Sequence, residues 1–176
     1  MTLLLVPGAL RRASLNRLLA AEAARLYGVE GPRWADLRLP LYDGDLEEEA
    51  GVPPEAQALA DAIAAAEAVV IATPEYNQSF PGVLKNALDW VSRTDGRPWR
   101  DKPVAIVSAT AGRSGGARSQ YALRLALNPF RPRLLTGPEV LVAQASQQFE
   151  DGRLVNERNA RALEELMTAL REAAQG

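Results

Sequence analysis

The sequence predicts an α/β fold, a doubly wound five-stranded parallel sheet with helices on both faces, and three observations lead to it. Short apolar runs recur near residues 3, 34, 69, 104 and 139 and alternate with segments of helical periodicity. The inner runs, Leu3–Val6, Val69–Ala72 and Pro103–Ser108, are continuously apolar rather than alternating, as strands buried on both faces are. No internal repeat, low-complexity tract or linker divides the 176 residues, so a single domain over 1–176 is expected.

Leu3–Val6 is closed at once by Pro7-Gly8. It is too short for a membrane span or a signal segment, and a cytoplasmic location with no membrane contact is expected. In the helix that follows, Leu15, Leu18, Leu19, Ala23 and Leu26 share a face, with Ser14 as N-cap and Gly28 as the stop. Arg11 and Arg12 lie between strand and cap, Arg17 lies one turn into the helix, and no acid occurs from Pro7 to Ala21. A helix N-terminus offers unpaired N–H groups and a partial positive charge, so this loop suits an anion such as phosphate. A capped helix with solvated arginines has the same sequence.

Arg33–Leu37 reads as a weak strand and Arg38–Pro54 as a long loop rich in Pro and Gly. Leu39, Leu41 and Tyr42 are apolar for such a loop, which fits local packing, a subunit contact or a site wall. Glu55–Ala66 is an alanine-rich helix with Leu59 and Ile63 inward. Val69–Ala72 then stops at Thr73-Pro74, passes through a polar loop and restarts as a helix near Pro81. Val83, Leu84, Ala87, Leu88 and Val91 share one face of that helix; Lys85 and Asp89 lie on the other.

Arg93–Lys102 is a connection, and Pro103–Ser108 the next strand. In the stretch ATAGRSGGARSQ, Gly112, Gly115 and Gly116 permit close backbone approach, and the helix starting near Gly116 directs its positive end there. A merely flexible loop would look alike. Arg133–Ala143 holds two short apolar pieces broken by Gly137-Pro138, which predicts a kinked or edge strand. Asp151-Gly152 marks a turn, and Val155–Ala174 a last helix with Leu163, Leu166, Met167 and Leu170 inward.

Composition narrows the chemistry. Net charge is −2 and the only lysines are Lys85 and Lys102, so no nucleic-acid surface is expected. The chain has no cysteine and no histidine. That excludes disulfides, a thiol nucleophile, a zinc–thiolate site and the usual general base, and no metal site is expected. Chemistry must come from a bound cofactor or from carboxylates.

Pro74-Glu75-Tyr76-Asn77, then Ser79, Pro81-Gly82, Leu84-Lys85-Asn86-Ala87 and Asp89-Trp90, resemble the signature of the NAD(P)H-dependent FMN reductase family. Its members are flavodoxin-like enzymes that include quinone, azo-dye and chromate reductases. Gly8-Ala9-Leu10-Arg11, then Ser14 and Asn16, are similar to that family's phosphate loop, with Ala9 where the family usually carries a serine. The missing hydroxyl removes one phosphate hydrogen bond, a net effect of roughly 1–3 kcal/mol where unreplaced.

The resemblance implies FMN as cofactor and NADPH or NADH as reductant. It assigns Gly8, Leu10, Arg11, Ser14, Leu15 and Asn16 to the phosphate, and Pro74, Glu75, Tyr76 and Asn77 to the ribityl chain and ring edge. Ser108, Gly112, Gly115 and Gly116 are assigned to the isoalloxazine and its N1/O2 end. No side chain receives a catalytic role, because flavin N5 carries the chemistry. A ping-pong transfer to a small-molecule electron acceptor (quinone, azo dye, metal oxyanion or free flavin) is implied. So is a homodimer or homotetramer whose partner subunit walls each flavin. Tyr76, Trp90 and Leu39–Tyr42 are the expected contacts, and Glu75 helps bond the subunits; read alone, Trp90 serves equally as a core aromatic.

A flavodoxin-like sheet has the order 2-1-3-4-5, and its ligands bind beyond the strand ends at the switch point between strands 1 and 3. The loops after Val6 and after Thr73 flank that crevice, and the loop after Ser108 lies next along, so three loops chosen separately converge. Two other functions stay open. A flavodoxin-like electron carrier shares the fold, although its Thr/Ser-rich phosphate loop and strong acidity are missing. A non-catalytic phosphate- or flavin-binding regulatory module would show no turnover. A receiver-like domain needs acids at residues 7–9 and 73–74, which have none. There is no G-x-G-x-x-G fingerprint; Arg113 and Arg118 are either solvated or partners for a nicotinamide nucleotide phosphate.

Overall fold

Continuously apolar strands have two faces to bury, and the chain buries both. The computed structural model describes residues 2–176. β1 (Leu3–Pro7) is followed by α1 (Leu15–Tyr27), β2 (Arg33–Trp34), α2 (Gly44–Ala50), α3 (Pro54–Ala65) and β3 (Ala68–Ala72). Then come α4 (Gly82–Val91), β4 (Pro103–Ala109), α5 (Ala117–Leu127), β5 (Arg133–Leu134) and β6 (Val140–Val142). A hairpin of β7 (Phe149–Glu150) and β8 (Arg153–Leu154) precedes the last helix, α6 (Glu157–Gln175).

The sheet order is β2-β1-β3-β4-β5, all parallel, with Leu5 opposite Val70 and Ile71 opposite Ile106. Leu3, Leu5, Val70 and Val107 pack with Leu19 and Ala23 of α1 and Leu166 and Leu170 of α6. Leu4, Val6, Val69, Ile71 and Ile106 point the other way, into Ile63 of α3, Leu84 and Leu88 of α4 and Leu123 of α5. Each such fully buried Leu, Ile or Val side chain contributes about 1.5–3 kcal/mol of transfer free energy. Local signals set the helix ends: Ser14 Oγ accepts from Asn16 N at 3.2 Å, and Gly28 closes α1 in the left-handed region at φ 82°.

The fifth position of the sheet is shared by two pieces. β5 pairs with Pro103 and Val104, β6 with Val107–Ala109, and the ladder is broken at Gly137-Pro138, where proline has no N–H to donate. The Asp151-Gly152 turn forms as expected, both residues left-handed (φ 47° and 77°) at the tip of the β7–β8 hairpin.

Two expectations are corrected. Arg38–Pro54 is not a continuous loop, because α2 forms within it, capped by Asp43, whose Oδ1 accepts from Asp45 N at 3.0 Å. Trp90 is fully buried within its own chain, where its indole N–H donates to Pro40 O at 2.8 Å and its ring meets Tyr42 edge-on at 5.0 Å. It is a core aromatic that ties down the 37–43 segment, together with Asn86, which donates to Pro40 O and accepts from Tyr42 N. A buried indole cannot also be a subunit contact.

α2 is held by side chains rather than by burial. Arg93 Nε donates to both oxygens of Glu47 at 2.8 and 2.9 Å, and Tyr42 Oη donates to Glu47 Oε2 at 2.9 Å. Arg93 and then Tyr42 hold the Glu47 carboxyl below its ordinary range, and the same bond pushes the Tyr42 hydroxyl up. A carboxylate depressed in the folded state contributes stability above its unfolded titration, and that contribution is lost as pH falls through the folded value. Protection of the 44–50 amides relative to their intrinsic exchange rates is therefore expected to be highest at neutral pH and to fall as pH drops through and below the ordinary carboxylate range, with Glu47→Gln showing the low protection throughout. Protection independent of pH in the wild type would contradict this tether.

Candidate active site

Three chain segments meet beyond the C-terminal ends of β1, β3 and β4. They enclose a crevice of about 410 Å³ lined by Arg11, Ala13, Ser14, Leu15, Asn16, Pro74, Glu75, Tyr76, Ala109, Thr110, Ala111, Gly112 and Ser114. That size lies within the usual range of small-ligand sites. The position is the switch point of the sheet, where the helices after β1 and after β3 depart to opposite faces.

A buried amide fixes the first wall to the third. Asn16, 2% exposed, donates from Nδ2 to Ala109 O at 2.8 Å and accepts from Ala109 N at 2.9 Å through Oδ1. The α1 N-terminus is thereby held against the end of β4 by side-chain and backbone groups 93 positions apart. Ser14 spends an acceptor lone pair on Asn16 N, which leaves its hydroxyl hydrogen for another partner. Arg11 stands exposed at the same rim.

The second wall turns on Tyr76–Ser79. Tyr76 N donates to Ser79 O at 2.9 Å and Ser79 N to Tyr76 O at 3.1 Å, with Asn77 and Gln78 both left-handed (φ 49° and 66°). This is the backbone of a type I′ turn, and it projects Asn77 at the tip, away from the crevice lining. Beneath it, Pro74 O accepts from Ser119 Oγ at 2.8 Å and from Thr73 Oγ1 at 3.1 Å. Glu75 joins the second wall to the third: Oε2 accepts from Ser114 Oγ at 3.3 Å, and Oε1 lies 3.6 Å from Arg118 Nη1. Its bonding is within the chain.

Several expected site residues act from beneath. Gly8 lets the first loop approach β3: a Cβ there would sit 2.9 Å from Thr73 Oγ1. Ser108 is fully buried and donates to Gly115 O at 2.5 Å, so it supports the third loop instead of lining the crevice. A Cβ on Gly115 would lie 2.7 Å from the Leu141 carbonyl carbon, and one on Gly116 2.7 Å from Ser108 Cβ, with both glycines left-handed. Leu10 faces a neighbouring 240 Å³ cavity with Arg17 and Trp34, and Ala9, 4% exposed, lies on that cavity too. The crevice also takes in Ala13, Ala109, Thr110, Ala111 and Ser114, which motif reading passed over because small residues between glycines carry no chemical signature.

Gly112 differs from the other loop glycines. Its backbone is not left-handed, and a Cβ on it would meet nothing within 4 Å. Neither packing nor conformation requires glycine there, whereas a flat ligand against the backbone would. With the Ser14 hydroxyl, the α1 N-terminus and Arg11 opposite, the crevice fits a molecule that is anionic at one end and planar at the other.

The family model described as NADPH-dependent FMN reductase matches residues 1–147, which include all three walls. The chain belongs to that family. It is similar to the NAD(P)H-dependent FMN reductase of Pseudomonas aeruginosa, 39% identical over 171 residues that cover 94% of this chain and 90% of that protein. It is also similar to the quinone reductase of Escherichia coli K12, 38% identical over 175 residues, with 96% and 92% covered. Among solved structures, FerB, a flavoenzyme NAD(P)H:(acceptor) oxidoreductase from Paracoccus denitrificans, superposes with a TM-score of 0.85. The two are 32% identical, over 99% of this chain and 97% of that one. The family is one of oxidoreductase enzymes with FMN as cofactor and NAD(P)H as reductant.

Asn16→Ala is expected to strand both backbone groups of Ala109 and to lower unfolding free energy by about 3 kcal/mol in urea titrations. Gly116→Ala, strained and overlapping Ser108, is expected to cost at least about 2 kcal/mol. Gly112→Ala should stay within about 0.5 kcal/mol of wild type. Equal costs at the two glycines would contradict the assignment of Gly112 to open crevice.

Proposed function

We propose that the chain, acting as one FMN-binding domain over 1–176, is an FMN-dependent NAD(P)H oxidoreductase. It would use a ping-pong mechanism and pass electrons to a small acceptor. Quinones are the favoured acceptor class, on the naming of the Escherichia coli relative, with azo dyes, metal oxyanions and free flavin as further candidates. The observation that carries the reading is the crevice itself, anion-suited at the α1 end and open beside Gly112.

Arg11, the Ser14 hydroxyl and the first-turn N–H of Leu15 would hold the phosphate. Pro74, Glu75 and Tyr76 would bound the ribityl chain and ring edge, and Gly112 would admit the ring face. Asn16 would act on the phosphate wall indirectly, its backbone N–H fixing the Ser14 hydroxyl and its side chain bracing the crevice. FMN, when bound, supplies the two-electron chemistry, taking a hydride from NAD(P)H and giving the electrons to the acceptor in a second half-reaction. No carboxylate, histidine or thiol of the chain is needed as an acid or base.

We also place the subunit contact of a homodimer or homotetramer at Leu41, 81% exposed, with the exposed Tyr42 and Tyr76, the last of which lines the crevice. A cytoplasmic location, where NAD(P)H is supplied, belongs to the same proposal. Among the described residues no helix is long and apolar enough to cross a membrane.

The test is spectroscopic. After incubation with FMN and gel filtration, the protein is expected to keep about one flavin per chain, which bleaches on anaerobic addition of NADPH. Initial rates with a benzoquinone should give parallel double-reciprocal lines. Retained flavin that NADPH does not bleach would favour an electron carrier, and absence of flavin would remove the reading.

A further inference from the structure

Ser108 and Gln120 are completely buried, and neither lines the crevice. Their polar contacts nonetheless run to the crevice loop. Gln120 Nε2 donates to Ser108 Oγ at 2.8 Å and to Val140 O at 2.9 Å, and Ser108 Oγ passes its own hydrogen to Gly115 O at 2.5 Å. Gln120 Oε1 has no partner among the described residues, so donation alone orients the amide. The direction of the relay is therefore fixed, from α5 through β4 to the loop.

A trans peptide carries its C=O and N–H on opposite edges. Pinning Gly115 O onto the sheet side turns Gly116 N–H outward, where its contact is the crevice-lining Ser114 Oγ at a long 3.4 Å. The left-handed Gly115 and Gly116, each without room for a Cβ, leave the peptide little freedom beyond that pin. Gly116 is also the N-cap of α5, and no side chain caps that terminus. An outward N–H at a helix N-terminus favours negative charge beside it; an outward carbonyl would oppose it.

We propose that Gln120 is a positioning residue for bound FMN. Acting through Ser108, it keeps the Gly115–Gly116 peptide with its N–H on the crevice side, and so would favour binding of the reduced, negatively charged flavin over the oxidised one. This rests on the FMN reading above. The part played by Gln120 is electrostatic and indirect, since it touches neither cofactor nor substrate.

The experiment measures FMN dissociation constants and, by anaerobic dye equilibration, the two-electron potential of bound FMN in wild type, Gln120→Leu and Ser108→Ala. The expected result is retained flavin whose reduced form is weakened about tenfold more than its oxidised form, a potential lower by ~30 mV. Should Gln120→Leu not fold, Ser108→Ala, which leaves the Gln120–Val140 bond in place, gives the same readout. Equal weakening of both redox states, with unchanged potential, would show mere mechanical support and overturn the proposal. Wild type that binds FMN alongside variants of unchanged affinity and potential would overturn it as well, while leaving the FMN reading intact. Wild type that binds no FMN would overturn both.

Discussion

The crevice depends on one buried pair of hydrogen bonds, between the Asn16 side chain and the backbone of Ala109. β1 and β4 are not neighbours in the sheet, since β3 lies between them. Something must therefore span β3 to close the first and third walls into one site. A primary amide is suited to this because it offers a donor and an acceptor side by side, matching the N–H and C=O of one residue. An ionised carboxylate offers acceptors only, and a hydroxyl carries its donor and acceptor on a single atom instead of side by side. With the walls joined, the α1 terminus, its Ser14 cap and Arg11 face the glycine loop at a fixed separation.

Much of the fold was legible because its causes are local. Continuous apolar runs mark Leu3–Val6 and Val69–Ala72 as buried strands, and Ser14 and Gly28 bracket α1 through bonds within a few residues of themselves. α2 was not legible. Its Pro- and Gly-rich surroundings read as loop, and it is held by Glu47 to Arg93, 46 positions away. At the fifth position the two apolar pieces and the Gly137-Pro138 break were legible, but not which half of β4 each piece pairs with, which is decided by the sheet.

The candidate site shows the same division. Motifs located all three loops, but not which side of each loop a residue takes. Ser108 was expected against the ring and is buried beneath the loop, while Gly115 and Gly116 are packed too closely for side chains and present only the Gly116 N–H, to crevice-lining Ser114. Gly112 was expected with them and alone opens onto the crevice. Sequence spacing marks glycine as conformationally free; only contact distances separate a glycine required by its neighbours from one required by a ligand. Gln120 carried no signal at all, being one polar residue on a helix whose partners lie 12 and 20 positions away.

Without cysteine or histidine, the chain serves chemistry by holding and polarising a cofactor, and its buried polar groups are spent on geometry. The central claim is that FMN lies in this crevice against Gly112. Calorimetric titration of FMN into wild type and Gly112→Val, with the thermal unfolding of both measured without flavin, tests it most directly. The account predicts one site per wild-type chain, and a variant that unfolds at the same temperature but binds FMN at least about tenfold more weakly, a loss of about 1.4 kcal/mol. Undiminished binding by a folded Gly112→Val would place the flavin elsewhere and contradict the account.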